Sequence, residues 1–355
     1  MQPKTKGILV LACDGNHFTP ASINGMLSRV PVPLAGGIFP AVVHEGAHLQ
    51  KGTVVVAVEQ AFHVGLVEDI SNADRDLAAS IDTVIDAMAA TGDTHVVFID
   101  GFATRIGHAL EGLFDSLGFG NDILGGGAGS LDMVPKPCIM TQTGLHKDAM
   151  LIATWDVACG IGVAHGWTAI EGPFRVTASD RNTIESLEWA SAFDVYRTAV
   201  ETHSGQRFTD DNFFDLAKAY PFGIAKLDAE RIVRDPFQAT EDGALVCVGE
   251  VSTGSHVDIL HGNKPSLLAA ARTARDRSVE AASGRGEPAV SLFMDCISRV
   301  LFLEEDFVQE LTAVKQPQVP LIGACTIGEI ANSSSSFVEF YNKTSVVGSI
   351  MTDAG

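Results

Sequence analysis

HVVFID (His95–Asp100), followed one helix-length later by ILGGGAGS (Ile123–Ser130), is the stretch from which the rest of the chain can be read. The first part is an unbroken apolar run, rich in β-branched residues and closed by an acid, as expected of a strand buried on both faces. Helical spacing marks the segment near Ile106–Leu117 between the two parts. The second part is a run of small residues entered by an apolar pair, read here as a glycine loop. The same order of parts occurs upstream as ILVLACD (Ile8–Asp14), a helix near Ala21–Leu27 and VPLAGG (Val32–Gly37). Downstream it occurs as AVSLFMD (Ala289–Asp295), a helix near Glu304–Val314 and VPLIGACTIGE (Val319–Glu329). Each loop leads to another strand-like segment: Thr53–Val58, Ala149–Trp155 and Thr344–Ile350. The pattern predicts an α/β fold, with a mixed α+β arrangement as the alternative. Internally repeated strand–helix–Gly-loop units would form a sheet core covered by helices.

Between the second and third units the texture changes. Gly160–Trp167, Phe174–Thr177 and Ile184–Leu187 read as strands of a hairpin-rich segment, and Ala190–Thr202 and Asp210–Tyr220 as helices, with Thr209 or Asp210 as an N-cap. Ala244–Val251 and His256–His261 return to strand character before a helix at Pro265–Ala282, which has proline at its start and Gly284 beyond its end. The expected division is 1–158 and 159–355, the second part holding the hairpins, a helical insertion at about 190–220 and the third unit at 289–351. A boundary near residue 205 is the alternative.

The 355 residues include 24 Lys+Arg and 44 Asp+Glu, a formal net charge of −20. Such a chain repels nucleic-acid backbones and anionic membrane surfaces unless a basic patch compensates. The nearest cluster, Arg272, Arg275 and Arg277, is interleaved with Asp276 and Glu280 and reads as a solvated helix face. Six cysteines stand apart, with no Cys-x-x-Cys pair and no zinc spacing, so neither a disulfide framework nor a structural zinc is expected. The apolar run Ile8–Cys13 is too short for a signal-peptide core, and no run approaches a membrane span. The expectation is a cytoplasmic protein.

GIGVAHGWTAIEGPFRVT (Gly160–Thr177), GGGAGS (Gly125–Ser130) and VPLIGACTIGEIANSSSSFVEFYNKTSVV (Val319–Val347) together resemble the FIST (F-box and intracellular signal transduction) family of sensory domains over nearly the whole chain, N-terminal and C-terminal parts included. The most specific match is Gly323 to Glu329, a Gly-x-x-(Thr/Ser)-x-Gly-Glu pattern, with the Asn-x-Thr turn at Asn342–Thr344. The first unit departs from the pattern at Gly36–Gly46, where Pro40 interrupts it, and the second ends in Ser130 in place of an acid. The resemblance implies a small-molecule sensor, with amino acids proposed as ligands and, in some members, haem and nitric-oxide sensing. It leaves no residues for an output domain, so a separate signalling protein or oligomer contacts would carry the signal.

Several residues then become candidates for ligand contact. Gly126, Gly127 and Gly323 can expose backbone N–H groups to a carboxylate or phosphate, or can simply allow close packing. No P-loop lysine or dinucleotide fingerprint accompanies them. Asp100 and Asp295 close their strands where open α/β sheets place ligands, as Asp14 does in the first unit, and can equally be turn acids. Arg105 and Arg299 follow those two acids and can fork onto a carboxylate or pair internally. Cys296 and Cys325 adjoin motif residues. Either would need a base or a positive neighbour to act as a nucleophile, and without one reads as a small buried hydrophobe. His165 and Trp167 can contact a planar ligand or fill the core, and His165 is the guess for an axial ligand if haem binds. Glu329 and Asn342 belong to the most family-like stretch. The leading reading is a sensor of a small polar, amino-acid-like ligand. A haem-based gas sensor and a small-amide hydrolase using a cysteine or carboxylate are the alternatives. No complete nucleophile–base–orienter set supports the enzyme, and no cofactor other than haem is anticipated.

Overall fold

A computed structural model describes residues 4–209, 211–225, 230–332 and 336–352. The chain opens with β1 (Gly7–Cys13), α1 (Pro20–Leu27), β2 (Leu34–Phe39), β3 (Ala41–His44), β4 (Ala47–Leu49), β5 (Thr53–Val58) and β6 (Phe62–Glu68). Next come α2 (Leu77–Met88), β7 (Thr94–Asp100), α3 (Ile106–Leu117), β8 (Asp122–Ala128), β9 (Ile139–Thr141), β10 (Gly144–His146), β11 (Ala149–Trp155) and β12 (Cys159–Ala164). An intervening region supplies β13 (Thr168–Asp180), β14 (Thr183–Leu187), β15 (Ala190–Ser191), α4 (Ala192–Ser204), α5 (Phe213–Ala217), β16 (Phe222–Ile224), β17 (Ile232–Ala239), β18 (Leu245–Val248) and β19 (His256–His261). The series ends with α6 (Lys264–Ala282), β20 (Glu287–Cys296), α7 (Ile297–Leu303), α8 (Phe307–Val314), β21 (Leu321–Thr326), β22 (Glu329–Ala331), β23 (Glu339–Tyr341) and β24 (Ser345–Thr352).

Three sheets share one pairing pattern. In each, a strand that ends in or next to an acid has a parallel partner on one side and an antiparallel one on the other: β2–β1–β5, β8–β7–β11 and β21–β20–β24. The three are then laced together in a ring. After β2 the chain enters β3, which pairs with β21; after β21 it enters β22, which pairs with β8; after β8 it enters β9, which pairs with β2. The lacing draws the three sheets around one apolar core, where Phe39 and Phe98 meet edge to face at 5.3 Å. Helices α2 and α3 cover the second sheet, and α6 and α8 the third. A seven-stranded antiparallel sheet in the order β13-β19-β16-β17-β18-β14-β15 packs against α4 and α5 as a separate layer.

The α/β class stands, but the glycine segments are strands, not loops. Leu34–Phe39, Asp122–Ala128 and Leu321–Thr326 are fully buried parallel strands. Glycine is ordinarily poor in a strand interior, and it is needed here because other backbone lies against these strands. A Cβ on Gly127 would stand 2.1 Å from the Ile327 carbonyl oxygen, and one on Gly323 1.9 Å from that of Phe293. Around Gly127 the contact is a hydrogen-bonded crossing: its N–H donates to Gly328 O at 2.8 Å, and its carbonyl accepts from Ile327 N at 2.9 Å. The helix expected over Glu304–Val314 begins later, as α8 at Phe307, because Glu304–Asp306 form a single 3-10 turn that joins it to a preceding helix, α7. Asn212, not Thr209, holds the N-cap position of the fifth helix, without a side-chain cap bond; Asp210 lies outside the described residues. At α6 the expected proline start holds, with Asn263 and Ser266 forming a reciprocal capping box.

Candidate functional site

The third unit builds a closed polar knot. Strand β20 delivers Asp295 and passes directly into α7, so Arg299 lies one helical turn beyond it and the two meet, Nε to Oδ1, at 3.2 Å. Arg299 is wholly inaccessible and uses all five of its N–H donors within the protein. Nε donates to Glu310 Oε1 at 3.0 Å and Nη2 makes a short contact with the same oxygen. Nη2 also reaches Leu267 O at 3.0 Å, while Nη1 reaches His165 O at 2.7 Å and Lys343 O at 3.3 Å. The Ser345 hydroxyl lies 2.9 Å from Asp295 Oδ1 and 3.0 Å from Glu310 Oε1. Burial and the neighbouring Glu310 push Asp295 well above the usual carboxylate range, against the pull of Arg299.

Glu329, at the start of β22, faces the same knot. Burial raises it to about 8, so it is largely protonated at neutral pH. The hydroxyl of Thr326 has one proton and two oxygens within reach, Glu329 Oε1 at 2.8 Å and Asp295 O at 3.3 Å. A protonated Glu329 donating to Thr326, with Thr326 donating onward to Asp295 O, satisfies both contacts. Oε2 then accepts from Thr344 N at 3.2 Å. Cys296 is pushed up to about 12 and Cys325 well above its ordinary value, both by burial. Thiols so held are not thiolate nucleophiles.

The remaining C-terminal candidates surround this knot. Both ring nitrogens of His165 are engaged: Nδ1 accepts from Trp167 N at 2.9 Å and Nε2 lies 3.3 Å from Glu230. Burial lowers His165 to about 4, and no nitrogen is left open to a haem iron in this arrangement. Trp167 is buried, donates from Nε1 to Lys343 O at 3.1 Å, and carries the Lys343 ammonium 5.0 Å from its ring centroid. Asn342 Oδ1 accepts from Arg234 Nη1 at 3.1 Å.

The N-terminal candidates lie elsewhere. Asp100 accepts from Phe102 N at 3.1 Å and Asp148 N at 2.8 Å, a turn acid raised by burial. Gly126 and Gly127 are occupied by the crossing of β8 with β22. The strand-end acids therefore do not share one space. Asp14 borders a cavity of about 160 Å³ with Lys136 and Ser130, Asp100 is held by backbone, and Asp295 is enclosed with Arg299.

Arg105 is the sequence candidate that reaches open space. It precedes α3, and its Nη1 donates to the carbonyls of Asn72 and Arg75, leaving Nε and Nη2 without a protein partner among the described residues. It borders a cleft of about 430 Å³, together with Ser71 and His108 on one side and Arg181, Glu250 and Thr253 on the other. A second cavity of about 150 Å³ shares Thr104 and Glu250 with the cleft and reaches inward to Arg234. Burial lowers Arg234 to about 10, which keeps it cationic at neutral pH. Sequence reading missed Glu310, Arg181, Glu250 and Arg234. The signal available for the last was an Arg-Asp pair inside the apolar strand that begins IVRDPF at Ile232.

Among the described residues, no group of three or more His, Cys, Asp or Glu side chains is placed to hold a metal ion, and no helix is long and apolar enough to cross a membrane. Comparison with curated proteins gave no match. The family model for the FIST N domain matches residues 7–190, more than half of the chain, and that for the FIST C domain matches residues 192–332. The cleft draws Arg105 and Arg181 from the first span and Glu250 and Thr253 from the second. By these two matches the chain belongs to the FIST family of signal-transduction sensory domains.

Proposed function

We propose that this chain senses a small polar, amino-acid-like ligand taken into the cleft where its FIST N and FIST C spans meet. The observation that carries the reading is the cleft itself. At about 430 Å³ it has the size of a small-molecule site, and it is lined by the two arginines Arg105 and Arg181 and by Glu250, so both signs of charge border it. A ligand bearing both signs of charge finds a partner for each. Because its contacts come from both spans, binding favours one relative arrangement of them over others, which is what a sensor requires. The polar knot around Arg299, by contrast, is saturated by its own protein contacts and serves as a brace.

In this reading the output passes to a separate signalling protein. A cytoplasmic setting is supported by six buried cysteines that are all unpaired. Native mass spectrometry of the purified chain, followed by calorimetry with the molecule it identifies, tests the reading. Arg105→Ala and Arg181→Ala are each expected to weaken binding by about tenfold, the loss of a charge-assisted hydrogen bond; Arg181→Ala should leave the unfolding midpoint unchanged, while Arg105→Ala also gives up the bonds to the Asn72 and Arg75 carbonyls. Unchanged affinity in both variants would refute the cleft as the site.

A further inference from the structure

We propose that the inner arm of the cleft is an oxyanion subsite, in which a carboxylate or phosphate group of the ligand lies between the guanidinium of Arg234 and the first turn of α3. The inference rests on the cleft reading above and specifies what the ligand must carry. Arg234 is only 7% exposed, and the nearby acids Glu339 and Glu250 offset part of the cost of burying its charge. Nε donates to Glu250 O at 2.9 Å, and Nη1 to Val233 O, Phe340 O and Asn342 Oδ1 at 3.0–3.1 Å. Nη2 has no partner among the described residues, and the residue borders the cavity of about 150 Å³. Ile106 and Gly107, from the opening turn of α3, border it too. That helix runs for 12 residues, and its N-cap, Arg105, supplies no side-chain acceptor to its leading N–H groups. The remaining guanidinium nitrogen, Nη2, and an uncapped helix start bordering one cavity offer donors of the same sign to an oxyanion. The volume admits a group about the size of a benzene ring.

Glu250 stands at the junction of the inner cavity and the outer cleft. Its Oε2 would be 3.8 Å from a Cβ on Gly107, and nothing else lies nearer to that position. The carboxylate thus competes for the same turn. A ligand with a cationic group a few bonds from its oxyanion avoids this repulsion.

The experiment titrates the full chain with sodium acetate and, separately, with inorganic phosphate at constant ionic strength, read by calorimetry. Saturable binding of acetate assigns the subsite to carboxylates, and of phosphate to phosphoryl groups. Gly107→Leu fills the cavity mouth, keeps a good helix former in α3, and is expected to weaken that binding by about tenfold or more. Arg234→Lys is expected to do the same by loss of the Nη2 donor, and Gly107→Leu decides the matter should the arginine variant fail to fold. Glu250→Gln removes the competing charge and is expected to tighten binding, an effect that a merely structural Glu250 would not produce. Absence of saturable binding by either anion, or equal binding by Gly107→Leu, overturns the proposal. A neutral molecule held in the outer cleft without any anion binding would remove the subsite and leave the cleft reading intact. An anion bound here with Arg105→Ala and Arg181→Ala silent toward the co-purified molecule would do the reverse.

Discussion

Arg299 and Glu310, eleven residues apart across the corner between α7 and α8, pair through Nε and Oε1 at 3.0 Å with neither side chain exposed. Enclosed pairs of this kind are costly to break, because removing one partner strands the other charge away from water. Arg299→Leu is expected to lower the free energy of unfolding by about 3–5 kcal/mol, read from urea midpoints. Arg299→Lys should recover little, since a point charge cannot serve five acceptor directions. A wild-type midpoint in Arg299→Leu would show that the knot does not brace the fold.

Glu329 sets a pH dependence. Its pKa rises from 4.5 to about 8 on folding, so the folded state holds a proton that the unfolded chain releases above pH 4.5. Its contribution to stability is full below that value and is lost as pH rises toward 8, at no more than about 1.4 kcal/mol per pH unit. In Glu329→Gln the amide can donate to Thr326 and accept from Thr344 at every pH. Urea unfolding at pH 5, 6, 7 and 8 should give a wild-type decline steeper than that of the variant, and parallel curves would contradict the assignment.

Gly323 fixes the spacing of β20 and β21. The carbonyl oxygen of Phe293 occupies the place where a side chain would begin, and it belongs to a central strand that cannot yield locally. Gly323→Ala is expected to cost about 3 kcal/mol or more, in the range of overpacked cores. Gly205→Ala is not an equivalent control, because Gly205 is a helix cap with φ +69°. Gly25, with open space around it, is one: Gly25→Ala should leave the thermal midpoint at or above wild type.

All six cysteines are buried and unpaired. A thiol reagent such as DTNB should therefore titrate them only as the chain unfolds, with the rate following denaturant. One cysteine reacting rapidly in the native protein, lost in Cys296→Ser, would return a cysteine-based hydrolase to consideration.

The strands at Ile8–Asp14, His95–Asp100 and Ala289–Asp295 were legible because continuous β-branched runs have few alternatives when buried on both faces. The glycine stretches were not, because strand propensity counts side-chain packing and is blind to a neighbouring backbone that forbids a side chain. Their candidate role as exposed N–H cradles followed from that misreading. Asp295, Cys296 and Arg299 stand together because the strand-to-helix corner keeps them close in sequence, and the parallel pairing of β20 with β21 sets Cys325 beside Asp295. Glu310 and Arg234 were not, because each acts across a turn or a sheet that sequence spacing does not encode. The cleft depends on α3 meeting the segment Glu250–Thr253, a contact across about 145 residues of chain that no local pattern announces.

The most direct measurement is a crystal structure of the chain as purified, with whatever small molecule it retains. Density is expected in the cleft beside Arg105 and Arg181, in contact with Glu250 and extending inward toward Arg234. Density instead among Asp295, Arg299 and Glu329, with the cleft holding solvent alone, would contradict the cleft as the site.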